Sequence, residues 1–293
     1  MSAAGIVEHR RGRVRWLSAD LLERRDVRHG FTLRAGGASR GAFASLNFSS
    51  REGDLPERVR ENWRRLEAAA RLPARGWALL SQVHGARVER IDAGGASCHH
   101  RRSHPEADAM ASDRPGLALG VLTADCLPVV LAVPGSGAAA IAHAGWRGTL
   151  EGVIPAAVGE LCTVAAASPA DVFAALGPAI GPCCYRVGDE VREAFRARWG
   201  SAHARSIFAR GEGWSLDLQA ANLRQLREAG VPARGVAALP FCTSCRADLF
   251  FSYRRDGQRS GRMLNFVATA GASAPDADAT ASAGHGPRST ACP

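Results

Sequence analysis

A chain of 293 residues, 46% hydrophobic and 22% charged, has the balance of an ordinary globular protein and enough length for one large core or two smaller ones. The formal charge of +9 comes entirely from arginine, with no lysine, no basic run longer than two and no nucleic-acid-binding motif, so a nucleic-acid partner is set aside. No apolar run approaches the roughly 20 residues that span a bilayer, and the charged start "MSAAGIVEHRRGRVRW" lacks the apolar stretch of a signal peptide, so the expected setting is cytoplasmic.

The first predicted helix covers "DLPERVRENWRRLEAAARL" (54–72), where Asp54 stands three residues before Glu57 in a capping-box spacing and Val59, Trp63, Leu66 and Ala70 share a face. "WALLSQV" (77–83) reads as a strand. The polar stretch 94–107, crowded with His and Arg, reads as a loop. Strands follow at "LALGVLT" (117–123), "LPVVLAV" (127–133) and "AAAIAHA" (138–144), the last two joined by the hairpin turn "PGSG". "TLEGVIPAAVGEL" (149–161) predicts a helix, "VFAALG" (172–177) a strand and "GDEVREAFRARW" (188–199) a helix. "DLQAANLRQLREAGV" opens on Asp217, carries Leu223 and Leu226, and stops at Gly230. "GVAALP" (235–240) is the last predicted strand, and 271–293 is a low-complexity tail with too little apolar surface to fold. Strands that are apolar throughout need cover on both faces. The expected architecture is therefore α/β, a single domain over residues 1–270 with layered mixed β-sheets flanked by helices.

Three metal-competent side chains stand at the ends of apolar segments: His84 in "SQVHGARV", Cys126 in "TADCLP" and His143 in "IAHAGWRG". Each alone is ordinarily a core or loop residue. Together, two His and one Cys make a catalytic zinc set with the fourth position left for water or substrate, and such an ion lowers the pKa of bound water to about 7. The same residues admit a metal-free reading, with Cys126 a nucleophile activated by His143 and Asp125 or a nearby carboxamide orienting the imidazole. The second imidazole, His84, favours the metal. Gly85 and Gly145 permit close backbone approach, and Gln82, Asp125 and Arg147 flank the set to support ligands or hold substrate. Of the remaining cysteines (98, 162, 183, 184, 242, 245 and 292), Cys242 and Cys245 in "CTSC" have zinc-knuckle spacing, but no second CxxC or HxxxH follows. That pair, and the "CHHRRSH" loop at 98–104, are expected to be non-catalytic.

The stretches "GFTLRAGGAS", "SLNFSSREGD", "ENWRRL", "SQVHGARV", "ADAMAS", "GVLTADCLPVVL", "AHAGWRGTLEGVI", "LGPAIGPCCYRVGDEV" and "FFSYRRDGQRSGR" come in order along the chain. They resemble the bacterial multicopper polyphenol oxidase, or laccase-domain, family, also described as zinc-dependent purine nucleoside phosphorylases and as peptidoglycan-editing factors. The resemblance implies a layered α/β fold related to cysteine-hydrolase-like toxins and a zinc site at His84, Cys126 and His143. It implies phosphorolysis of adenosine, inosine, guanosine and methylthioadenosine, with adenosine deamination besides. Partners are then purine nucleosides and phosphate, with the chain a monomer or homodimer.

Arg34, Arg51 and Arg147 are candidates for binding phosphate, and Asn47 for a ribose or base edge. Family members commonly carry Glu where this chain has Arg186, a charge reversal expected near the pocket. One alternative is a hydrolase removing a misincorporated amino acid from a UDP-sugar cell-wall precursor. Another is a copper-dependent polyphenol oxidase, but nine His without any H-x-H pair do not suit a multicopper centre, although copper at the His/His/Cys set remains chemically accessible.

Overall fold

The computed structural model describes residues 5–72, 76–92 and 104–268. The chain opens with β1 (Ile6–Arg11) and β2 (Val14–Ala19), then the short helix α1 (Asp20–Glu23) and β3 (His29–Thr32). Helix α2 (Pro56–Ala70) leads to β4 (Trp77–Leu79), β5 (Val88–Arg90), β6 (Ala109–Ser112) and β7 (Ala118–Thr123). The hairpin of β8 (Leu127–Ala132) and β9 (Ala139–Ala144) is followed by α3 (Trp146–Glu151), α4 (Val153–Ala165) and β10 (Phe173–Leu176). Next come β11 (Arg186–Val187), α5 (Asp189–Trp199), α6 (Ser201–Ile207), β12 (Phe208–Arg210) and β13 (Trp214–Leu216). Helix α7 (Leu218–Glu228), β14 (Val236–Ala238), α8 (Tyr253–Asp256) and β15 (Met263–Ala268) end the described fold.

Two mixed six-stranded sheets result, in the orders β1-β2-β3-β15-β7-β4 and β14-β10-β8-β9-β6-β5, with a small antiparallel sheet β11-β13-β12 beside them. Side-chain alternation explains why the sheets stack. On β7, Leu119 and Val121 point into the core between the sheets, while Ala118 and Leu122 face helix α2. On β8, Val130 and Ala132 join the same inter-sheet core, while Leu127, Val129 and Leu131 face α4 and α7. The layers therefore run α2, sheet, sheet, α4 with α7. The continuous apolar strands are covered on both sides, as their composition requires. Val59 and Leu66, buried on the inner face of α2, each stabilise the fold by about 1.5–3 kcal/mol through apolar burial.

Predicted and observed elements differ where local hydrogen bonds compete. Asp54 does not cap α2: its carboxylate accepts from Asn47 Nδ2 and from the Leu55 backbone N–H, and the helix starts at Pro56. The helix predicted over 149–161 is two helices, because Gly152 takes a left-handed conformation between α3 and α4. Asp217 does cap α7, accepting from Ala220 N at 2.9 Å. The sequence reading missed β1–β3, β5, β6, the small sheet and β15. Residues 104–107 of the predicted loop are ordered against the fold, with Ala107 fully buried and Glu106 bridging Ser81. The predicted tail, 271–293, lies outside the described residues.

Candidate metal centre and its cleft

Strand register brings the site together. His143 is the fifth residue of β9, on the same face as Ile141 and Ala139, so it points between the sheets at the strand's end. It pairs with Pro128 of β8, which puts Cys126, just before β8, beside Gly145. A Cβ at Gly145 would stand 3.0 Å from His84 Cδ2 and 3.2 Å from Cys126 Sγ, so the backbone there closes on the site as only glycine allows. His84 arrives from the turn between β4 and β5, in a left-handed conformation with φ 64°.

The residue that assembles this turn is Asp108, immediately before β6 and absent from the sequence-based candidates. Its carboxylate accepts the backbone N–H groups of Val83 (3.2 Å), His84 (2.9 Å) and Gly85 (2.7 Å), and the Nδ1 of His143 at 2.8 Å. An ionised carboxylate only accepts, so His143 donates from Nδ1 to Asp108, and this bond turns Nε2 towards Cys126 and the site. This is the carboxylate–histidine support that metal-binding imidazoles ordinarily have. Burial works to raise the Asp108 pKa, but the His143 ring and the Gly85 and His84 amides overcome it and hold it below the usual carboxylate value.

The donor atoms of His84, Cys126 and His143 all lie within 4.8 Å of one another, and the two imidazoles meet edge to face at 4.9 Å between centroids. Burial opposes charge on Cys126 and on His143. Their mutual attraction and hydrogen bonding, with His84 assisting the sulfur and Asp108 the imidazole, nevertheless lower the thiol and raise the imidazole. A thiolate is thus favoured even before a cation arrives. Two imidazole nitrogens and one thiolate, supported by a carboxylate and open towards a cleft, fit zinc.

The trio stands in a cleft of about 990 Å³, walled by Phe48, Val59, Leu79 and Leu122 on one side and by Tyr185 and Arg254 on another. Of the other predicted site residues, Gln82, Asp125 and Arg51 line it. Gln82 spends its amide on Leu122, donating to the carbonyl and accepting from the N–H, both at 2.8 Å. The Asp125 carboxylate takes Thr243 Oγ1 (2.6 Å), Ser252 Oγ (3.0 Å) and Arg254 N (2.7 Å), so it anchors chain rather than substrate.

Arg34, Arg147 and Asn47 do not line the cleft. Arg34 donates to the carbonyls of Ala44 and Ala247 and lies over Phe251. Arg147 is exposed over its neighbour Trp146. Asn47 is fully buried and bonded to Ser49, Asp54 and the Arg262 N–H. The Arg186 side chain reaches Gly213 O instead of the cleft, while its own carbonyl accepts Arg254 Nη1 at 2.7 Å. The expected charge reversal therefore falls outside the pocket.

Sequence reasoning also missed Tyr185, Arg254 and Glu52 in the cleft wall. Their only signal was membership of "CCYRVG", "SYRRDG" and "SSREGD". His104, the last residue of the loop expected to be non-catalytic, lines the cleft, and Cys98, His99 and His100 lie outside the described residues. The CxxC pair is likewise not alone. Cys242 and Cys245 meet Cys183 and Cys184, which precede them by about sixty positions, in a second cluster whose sulfurs all lie within 4.8 Å.

A family model described as multi-copper polyphenol oxidoreductase laccase matches residues 28–270. A Geobacillus stearothermophilus protein named purine nucleoside phosphorylase YlmD is 38% identical over 242 residues, covering 81% of this chain and 88% of that one. One from Escherichia coli K12, named purine nucleoside phosphorylase YfiH, is 40% identical over 235 residues, covering 80% and 90%. The crystal structure of YlmD from Geobacillus stearothermophilus superposes with a TM-score of 0.83 at 34% identity, over 90% of this chain and 99% of that one. With the fold, the ordered motifs and the match over most of its length in agreement, the chain belongs to the multi-copper polyphenol oxidoreductase laccase family.

Proposed function

We propose that this chain is a zinc-dependent purine nucleoside phosphorylase that also deaminates adenosine. The observation that carries the reading is the convergence of two imidazoles and a thiolate in a cleft with room for a nucleoside and phosphate together. The names of its relatives supply the substrate class. When bound, zinc supplies a Lewis acid that polarises oxygen and offsets developing negative charge.

The chain's own residues do the rest. Asp108 fixes His143, and through the turn amides it also fixes His84. Arg51 and Arg254 offer guanidinium groups for phosphate. Burial and the nearby Cys126 sulfur push the Tyr185 hydroxyl's pKa up, so Tyr185 keeps its proton and acts as a donor. Glu52 pairs with Arg262 through Oε1 at 3.0 Å, while its buried Oε2 has no hydrogen-bond partner. That oxygen is an acceptor for a ribose hydroxyl or a purine N–H. The apolar wall formed by Phe48, Val59 and Leu122 takes the base and excludes water. In phosphorolysis a phosphate oxygen bonds to C1′ as the C1′–N9 electron pair departs with the purine, which is then protonated. In deamination water adds at C6 and ammonia leaves.

Copper can occupy the same donors. Multicopper oxidation needs a further histidine-rich cluster, and among the described residues the other ligand group is four cysteines.

Product chromatography tests this. Inosine should give hypoxanthine and ribose-1-phosphate only with phosphate present, and adenosine should give inosine without it. Arg254→Ala should weaken phosphorolysis by about tenfold more than deamination, while exposed Arg147→Ala stays within about threefold of the parent. Free ribose regardless of phosphate would indicate a nucleoside hydrolase. Cleavage of a UDP-sugar–amino-acid conjugate with no nucleoside turnover would move the activity to cell-wall editing.

A further inference from the structure

The four-cysteine cluster stands apart from the cleft: none of its members lines it. Cys183 and Cys184 lie in a tight turn closed by Cys184 N–H and Tyr185 N–H, both donating to Gly181 O at 2.9 Å. Cys242 and Cys245 lie in another, closed by Arg246 N–H to Cys242 O at 3.1 Å. The turns are joined by a parallel bridge between Ala179 and Cys242, with Thr243 N–H donating to Ala179 O at 3.0 Å. All four cysteines are free; Cys245 Sγ is 3.5 Å from Cys183 Sγ and 3.4 Å from Cys184 Sγ. Four sulfurs about 2.3 Å from a tetrahedral zinc would be about 3.8 Å apart, so these separations need only small adjustments.

Two further features suit an ion. Gly181 N–H donates to Cys242 Sγ at 3.2 Å, the kind of bond that supports a ligating thiolate. A Cβ at position 181 would sit 3.3 Å from both Cys183 Sγ and Cys242 Cβ, so glycine lets the turns close. Arg255 lies against the second turn and pins it, donating to the carbonyls of Thr243 (3.0 Å) and Ser244 (3.0 Å).

We infer that Cys183, Cys184, Cys242 and Cys245 form a second, structural zinc site. Four thiolates leave no open coordination position, so this ion fastens chain instead of performing chemistry. What it fastens is next to the cleft. Thr243, inside the CxxC, donates to the Asp125 carboxylate, and Ile180 N–H donates to Asp125 O at 2.9 Å. Asp125 precedes Cys126, and Tyr185 follows Cys184 into the cleft wall. Zinc here clamps the two loops that hold these residues in register.

Metal analysis of the tag-free full chain should give two zinc per chain. Cys245→Ser and Cys183→Ser should each leave one, and His84→Ala combined with either should leave none. The unmutated chain prepared with cobalt should show intense thiolate-to-metal charge-transfer bands together with tetrahedral d–d bands, which avoids dependence on any variant's folding. After chelation in denaturant without reductant, all eight cysteines should titrate as thiols. Unchanged zinc in both serine variants, a cobalt spectrum without thiolate-rich bands, or four missing thiols indicating disulfides would overturn the site.

Discussion

Cys126→Ala is expected to lower both phosphorolysis and deamination by at least about 10³-fold, equivalent to about 4 kcal/mol of transition-state stabilisation. The sulfur is the meeting point of His84 and His143, and its loss leaves two imidazoles without the anion that draws a cation between them. The protein should still fold, because the sulfur makes contacts within the site and the flanking strand β8 is held by Leu127, Val129 and Leu131 in the core. Steady-state kinetics with inosine and adenosine check this. Loss of one reaction with retention of the other would mean that the two do not share the centre.

Asp108 should produce the second-largest effect, and by a different route. Asp108→Asn keeps the shape but replaces one acceptor oxygen by an amide that cannot accept from Val83, His84, Gly85 and His143 as the carboxylate does. Metal affinity and kcat should fall by about 10–100-fold, as for other carboxylates behind metal-binding histidines. Asp108→Ala removes a fully buried charge and strands its donors, at a stability loss of about 3–5 kcal/mol. Zinc content, KM and kcat, and a denaturant titration separate the two variants. Positioning by Asp108 predicts a fall in kcat and in zinc content, with KM for phosphate little changed. Because its carboxyl is held below the ordinary value, its contribution is present above about pH 4, the unfolded carboxylate range, and is lost on acidification through the lower folded value.

The three candidate ligands were legible because each stands at the end of an apolar run that can be read as a strand, and the strands are apolar on both faces because both faces are covered. Their keeper was not. Asp108 sits in "ADAMAS" with no local sign of function, and its role depends on β6 pairing with β9 in a register that brings Asp108 to His143. The cysteine cluster was hidden for the same reason. An adjacent pair at 183–184 and a CxxC at 242–245 meet only because residue 179 bridges residue 242.

Local patterns also misled. The spacing of Asp54 and Glu57 suggested a cap, but Asn47 and Leu55 claim the Asp54 carboxylate. Arg34 and Asn47 drew attention as polar residues in recognisable motifs, although their donors are consumed inside the fold. Strand β1 escaped notice because it is an edge strand whose sequence IVEHRR is mostly polar and partly exposed, and β2 because its buried sequence VRWLSA interrupts its apolar residues with Arg15 and Ser18.

The central claim is that His84, Cys126 and His143 hold one metal ion together, as opposed to forming a cysteine nucleophile and its base. Zinc per chain, measured by elemental analysis in the Cys245→Ser background so that the trio is the zinc site under test, decides it. One equivalent is expected in that background and essentially none after adding His84→Ala. A full equivalent retained without His84, alongside lost turnover, would contradict the metal centre and leave Cys126 and His143 as a thiolate–imidazole pair.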